Sequence, residues 1–181
     1  MKRLFKAFKA IISAALILSV VFSMMMPASA AFEDFDDARG HWAEKTLEKA
    51  YNDGILKGYD DGTIGPDKSI TAAQILTILC RVLSAEKEAD ISALGLSGDE
   101  WYAQAVARAM YMDMIPEGIR SFDAPIRRGD AMVMIARAFQ LTFADPDDSV
   151  LSGFPDGRGL TGEERDVVAS LVASGYIEGS N

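Results

Sequence analysis

The sequence predicts an all-α chain made of repeated helix–loop–helix units, and three observations carry that expectation. A segment recurs at fixed spacing. Apolar residues in each copy recur at helical spacing. Gly, Asp and Pro cluster between these stretches, and no segment shows convincing strand alternation. The first copy runs His41-Trp42-Ala43 … Tyr51-Asn52-Asp53-Gly54-Ile55-Leu56-Lys57-Gly58, the second Trp101-Tyr102-Ala103 … Tyr111-Met112-Asp113-Met114-Ile115-Pro116-Glu117-Gly118. The offset is 60, pairing Ala43 with Ala103, Tyr51 with Tyr111, Asp53 with Asp113, Ile55 with Ile115 and Gly58 with Gly118. Downstream it becomes 56, pairing Ile70 with Ile126 and Arg81 with Arg137. That change falls in a loop, where length varies at low cost. A third copy starts at Phe143-Ala144-Asp145, matching Phe32-Glu33-Asp34, and continues to Gly175 and Gly179, which match Gly54 and Gly58. Its second half is absent from the sequence.

Taken in order, residues 1–30 read as a secretory signal peptide. Lys2, Arg3, Lys6 and Lys9 form a basic start, and Ile11–Met26 is apolar apart from three serines. Ala28-Ser29-Ala30 then supplies small residues at a cleavage site. The apolar run falls short of the roughly 20 residues of a spanning helix. No second apolar run follows, so no membrane span is expected once it is removed. His41–Asp53 carries Trp42, Leu47, Ala50 and Tyr51 on one helical face, and Gly54 fits the helix end. Residues 58–66 form a Gly/Asp/Pro loop. Thr71-Ala72-Ala73-Gln74 is a capping box opening an apolar helix. The second copy repeats this with helices near Asp99–Met112 and Arg127–Phe139, after a polar connector at Ser84–Gly98. Thr161-Gly162-Glu163-Glu164 is a further capping box, opening a helix to about Ser174.

Composition excludes several functions. Residues 31–181 carry 14 Lys+Arg against 27 Asp+Glu, a formal charge of −13. A chain this acidic lacks the basic footprint of a nucleic-acid binder. One Cys permits no internal disulfide and no thiolate metal cluster, and one His no multi-His metal site. The residues present no catalytic motif, no cofactor motif and no metal motif. Asp34, Asp36, Asp37, Asp60 and Asp61 read as solvated loop acids, since none belongs to a calcium-loop pattern.

Phe32-x-Asp34, His41-Trp42-Ala43, Gly54-Ile55-Leu56-x-Gly58-Tyr59-x-Asp61-Gly62-Thr63, Pro66 and Ile70-Thr71 together resemble the S-layer homology (SLH) pattern. Ile126-Arg127-Arg128-Gly129-Asp130 and the helix after it look like a second such unit. The resemblance implies units at 32–84 and 85–141 and a partial third at 142–181. It implies helices assembled into a pseudo-threefold bundle, with the third repeat incomplete. It implies an exported, non-catalytic module of a bacterial cell wall or S-layer. Such a module binds secondary cell-wall polysaccharide, often through a pyruvyl ketal, in grooves between units. In that family the second helix opens with a Thr-Arg-Ala-Glu-like box, whose Arg commonly lines the groove. Here the first copy has Ala72 at the Arg position and Gln74 at the acid position. The second keeps Arg128, with Arg127 at the Thr position and Asp130 for the acid. Two other readings stay open: a scaffold without wall binding, or the front of a larger surface protein.

Arg128 is the leading ligand candidate, because a guanidinium grips a carboxylate in two parallel bonds. Its competing role is an ion pair with Asp130. Trp42, Trp101 and Tyr102 are candidates for stacking on sugar rings, but their place on the apolar stripe favours core packing. Asp34 and Asp130 join the ligand candidates through the motif. Gly58, Gly62 and Gly118 are expected to serve loop geometry at positive φ, with groove contact as the alternative. Cys80 and the methionines at 110–114, 132 and 134 are expected in the core. His41 reads as a helix-start residue. The lone last helix leaves a face open for self-association.

Overall fold

The computed structural model describes residues 31–141 and 147–178. The expected signal peptide, the Phe143–Asp145 motif and Gly179 lie outside the described residues. The described chain is all-α. Five α-helices run α1 Glu44–Asn52, α2 Ala72–Val82, α3 Ala103–Tyr111, α4 Arg128–Ala138 and α5 Gly162–Ala173, joined by loops and short 3₁₀ turns. Among the described residues there is no strand; one antiparallel bridge joins Thr71 to Pro125.

Local chemistry sets each helix start differently. Thr71 and Gln74 form the expected box: Thr71 Oγ1 accepts from Gln74 N at 3.2 Å, and Gln74 Oε1 from Thr71 N at 2.9 Å. α1 begins later than its apolar spacing suggests. His41 lies just before the helix, whose N-cap is Ala43, and its Nδ1 accepts the Ala43 N–H at 3.1 Å. At α5 the expected capping box does not form. Thr161 is the N-cap residue but makes no side-chain cap. The two glutamates after it are drawn instead to arginines of α4, where the charge-assisted bonds are stronger. Arg137 holds Glu163 at 2.8 and 2.7 Å, and Arg127 reaches Glu164 at 3.3 Å. Gly129 admits this approach, since a Cβ there would overlap the Glu164 carboxylate.

Burial follows helix pairing. α2 lies on α3, and α4 lies on α5. The main core gathers Leu76, Leu79 and Cys80 of α2, Val106 and Ala109 of α3, and Met114, Phe122 and Met134. Leu76, Val106, Met114 and Met134 are fully buried. Burial pushes the Cys80 thiol up, as expected for a core cysteine. Met110 departs from the expected core role and is exposed. α1 contributes no buried residue. Its Leu47 and Tyr51 rest on a separate small cluster of Phe32, Phe35 and Ala38.

One tertiary contact recurs at the two sequence offsets. Arg81 Nη1 donates to the carbonyl of Ile55 at 3.2 Å, and Arg137 Nη1 to that of Ile115 at 3.1 Å. Each arginine thus ties the end of a second helix to the chain just after the first.

Candidate functional site

Two grooves carry the candidates. One, of about 490 Å³, lies between α4, the 3₁₀ turns at 151–159 and α5. Arg128 stands at its mouth as the sole cation of the lining, with Phe154, Pro155 and Leu160 beside it and Asp156 and Glu178 as the acids. The other, of about 730 Å³, runs along α2 from Leu47 and Gly58 past Tyr59, Lys68 and Gln74 to Trp101.

The ion pair expected as the competitor for Arg128 belongs to its neighbour. Arg127 grips Asp130 in two bonds, Nε to Oδ2 at 2.9 Å and Nη2 to Oδ1 at 2.8 Å. Asp130, with Glu164, holds the Arg127 guanidinium above its ordinary range. Arg127 is the N-cap residue of α4 and Asp130 its third position, so the pair occupies the box where Thr and Glu would sit. Asp130 is therefore committed to the helix start and absent from the groove lining. Arg128 is exposed and has no hydrogen bond or ion pair among the described residues. In the first unit Ala72 takes the corresponding place and is buried against the main core.

The aromatic candidates separate. Tyr102 is 7% exposed, packed between Trp101 and Phe122. Trp42 and Trp101 correct the favoured core reading, being 92% and 64% exposed. A helical stripe contains both edge and centre positions, and both tryptophans precede the first turn of their helices. Trp101 borders the larger groove, whereas Trp42 reaches neither.

Of the glycines, Gly62 and Gly118 have φ of 79° and 97°, as expected for loop geometry. Gly58 does not. Its reason is close approach: a Cβ there would overlap the Phe35 ring and meet the Thr63 carbonyl at 2.9 Å. Gly58 lines the larger groove, while Gly62 and Gly118 line neither. Asp34 is used locally, accepting the Ala31 N–H at 2.9 Å. So Gly58 and Trp101 share one groove, Arg128 lies in the other, Asp34, Asp130, Tyr102, Gly62 and Gly118 serve the framework, and Trp42 lies on the surface outside both grooves.

Several lining residues had no motif to announce them. Lys68 is held in its groove over the Tyr59 ring at 4.1 Å and by Thr63 Oγ1 at 3.0 Å. Thr63 also donates to Asp61, which keeps that carboxyl below its ordinary range. Gln74, at the box's acid position, donates to the Tyr59 hydroxyl at 3.0 Å. Phe154 lies in a Gly/Pro-rich stretch; an aromatic in such a turn was its only sequence signal.

The family model for the S-layer homology domain matches residues 34–75. The chain is 28% identical over 179 residues to the surface-layer 125 kDa protein of Lysinibacillus sphaericus, covering 97% of this chain and 14% of that protein. It is 26% identical over 164 residues to an S-layer protein of Bacillus licheniformis, covering 88% and 19%. It is 27% identical over 121 residues to a cellulosome-anchoring protein of Acetivibrio thermocellus, covering 62% and 27%. The chain thus spans less than a third of the length of these relatives. The all-α fold, the box opening α2 and the match at residues 34–75 converge: the chain carries an S-layer homology domain match and is homologous to S-layer and other SLH-bearing surface proteins.

Proposed function

We propose that the protein is an exported, non-catalytic anchor that binds secondary cell-wall polysaccharide in the groove between α4 and α5. The observation that supports this most is Arg128: a guanidinium without a partner among the described residues, at the mouth of a groove with apolar walls. A carboxylate such as that of a pyruvyl ketal meets it in two parallel bonds, while sugar ring faces lie on Phe154 and Pro155. The acidic surface of the chain repels an anionic polymer at range, so capture rests on this short-range contact. The names of the relatives agree with a surface role: two are S-layer proteins and one is an anchoring protein. The reading includes units at 32–84, 85–141 and from 142 onward, arranged about a pseudo-threefold axis.

The test is co-sedimentation of the protein with native sacculi and with sacculi stripped of secondary polysaccharide, with Arg128→Ala alongside. The expected result is binding to native walls, loss on stripping, and about a tenfold weakening by Arg128→Ala, the size of one charge-assisted contact. Equal binding by Arg128→Ala and the parent protein overturns the assignment to this groove.

A further inference from the structure

His41 is the single histidine of the chain, and its ring is used at both nitrogens. Nδ1 accepts the Ala43 N–H at 3.1 Å, at the N-cap of α1. Nε2 lies 3.3 Å from Asp67 Oδ1, in the loop that leads to α2. The side chain is 13% exposed, and the Trp42 ring lies 5.4 Å away between centroids. An amide N–H only donates and a carboxylate only accepts. The two contacts therefore coexist in one state of the ring, the neutral tautomer with its proton on Nε2.

A second proton has one place to go, Nδ1. There it meets the Ala43 N–H donor to donor, and that bond is lost. The cation also sits at the start of α1, where the helix dipole disfavours positive charge. At the other nitrogen the balance reverses, because an imidazolium Nε2–H is the stronger donor to Asp67. The other charged groups of the elements joined here are engaged elsewhere. Asp36 pairs with Arg39 at 2.9 Å, and Asp37 accepts from the amides of Ile64 and Gly65. Asp34 accepts the Ala31 N–H, and Glu44 Oε2 accepts the Gly40 N–H at 2.8 Å. Asp61 accepts from Thr63, and Lys68 donates to the Thr63 hydroxyl. Glu33 and Lys45 are exposed. Packing gives the first turn little resistance to opening, since α1 buries no residue.

We propose that His41 is an acid-operated switch between the start of α1 and the loop at Asp67. Neutral, the ring holds both. Protonated, it gives up the Ala43 amide and stays with Asp67, so the first turn of α1 is freed while the loop keeps its tie. Trp42 lies between the two bonded residues, so the switch fixes this exposed indole in the neutral state and releases it in acid. Pro66 and Lys68, on either side of Asp67, line the larger groove, so that rim is held in both states.

The test is proton–nitrogen NMR of the labelled protein from about pH 8 to about pH 5, the span in which imidazoles titrate. At the upper end the ring signals should report Nε2 protonated and Nδ1 bare. As the ring takes its second proton, the Ala43 amide should lose about tenfold in exchange protection, corrected for its intrinsic pH dependence, the size of one hydrogen bond. Protection at Val106 should not change. His41→Asn keeps an acceptor near the place of Nδ1 that does not titrate, and should hold Ala43 protected throughout. Asp67→Asn removes the carboxylate that favours the cation, and should move the Ala43 response to lower pH. A proton on Nδ1 at the upper end, or steady protection of Ala43 while the ring titrates, would overturn the proposal. So would an equal fall in His41→Asn, or an unmoved midpoint in Asp67→Asn.

Discussion

α1 and α3 are matched helices with opposite fates. They share the repeat pattern, yet α3 buries Ala103, Val106, Ala107 and Ala109, while α1 buries nothing. The contrast is sharpest at one matched position: Trp42 is 92% exposed and Tyr102 is 7% exposed. Composition does not explain this, since tryptophan is at least as apolar as tyrosine. The neighbours do. α3 lies under α2, and α5 under α4, so a first helix gains its cover from the second helix before it in the chain. No described α-helix precedes α1, and it rests on the small cluster of Phe32, Phe35 and Ala38.

Substitutions at the matched position test this most strongly. Tyr102→Ala removes a buried ring and is expected to cost about 3–5 kcal/mol of unfolding free energy. Trp42→Ala is expected to stay within about 0.5 kcal/mol, as an exposed surface change does. Urea denaturation followed by far-UV circular dichroism measures both. Comparable losses at the two positions would mean that α1 has a cover after all, and the account of burial by pairing would fail.

The arginine pair sharpens the comparison at smaller scale. Arg137 joins Glu163, the Asp113 carboxylate and the Ile115 carbonyl, and its side chain is 22% exposed. Arg137→Gln should cost about 1–2 kcal/mol. Arg81→Gln loses one carbonyl bond and should cost about 0.5–1 kcal/mol. If Arg81→Gln costs the larger amount in the same denaturation series, Arg81 has a structural partner beyond that carbonyl.

Much of this was legible in the sequence, and the misses share a physical cause. The offset of 60 located α1 and α3, and the Thr71-x-x-Gln74 pattern located the start of α2 with its reciprocal bonds. Both are properties of residues within a few positions of one another. What the pattern did not contain was which neighbour each face would meet. The apolar stripe put Trp42 and Trp101 inside because periodicity defines a face and says nothing of its cover. Motif analogy placed Arg127 in the threonine slot. It missed that an Arg at the N-cap reaches an Asp at the third position in two bonds, which leaves Arg128 free. Gly58 shows the same limit: its glycine answers to Phe35, a residue 23 positions earlier. The link between Arg137 and Glu163 required two helices to be in place before either residue had meaning.

Acid should separate the two units in a further way, smaller in size and specific in place. Asp37 Oδ1 accepts from the amide of Ile64 at 3.1 Å, and Oδ2 from that of Gly65 at 2.7 Å, joining segments 27 and 28 residues apart. Desolvation works against ionisation of the exposed Asp37, but these two amides, aided by Lys68, outweigh it and keep the carboxyl below its usual range. In the second unit Glu100 is lowered chiefly by the amide of Ser97, with that of Gly98 contributing, a turn closed within three residues. A carboxyl lowered by folding lends stability that is complete above its unfolded value, near 3.8, and is lost as pH falls through the folded one. Below about pH 4 the first unit should therefore lose a tertiary tie, while the second loses only a local turn. Amide exchange, corrected for its intrinsic pH dependence, should show protection at Ile64 and Gly65 falling between pH 6 and pH 3. Protection at Val106 should persist. Asp37→Asn should bring the low-pH behaviour of Ile64 and Gly65 to neutral pH and flatten their response to acid. Unchanged protection at Ile64 and Gly65 in that variant would show that the small cluster around Phe35, rather than the carboxylate, holds the first unit's loop in place.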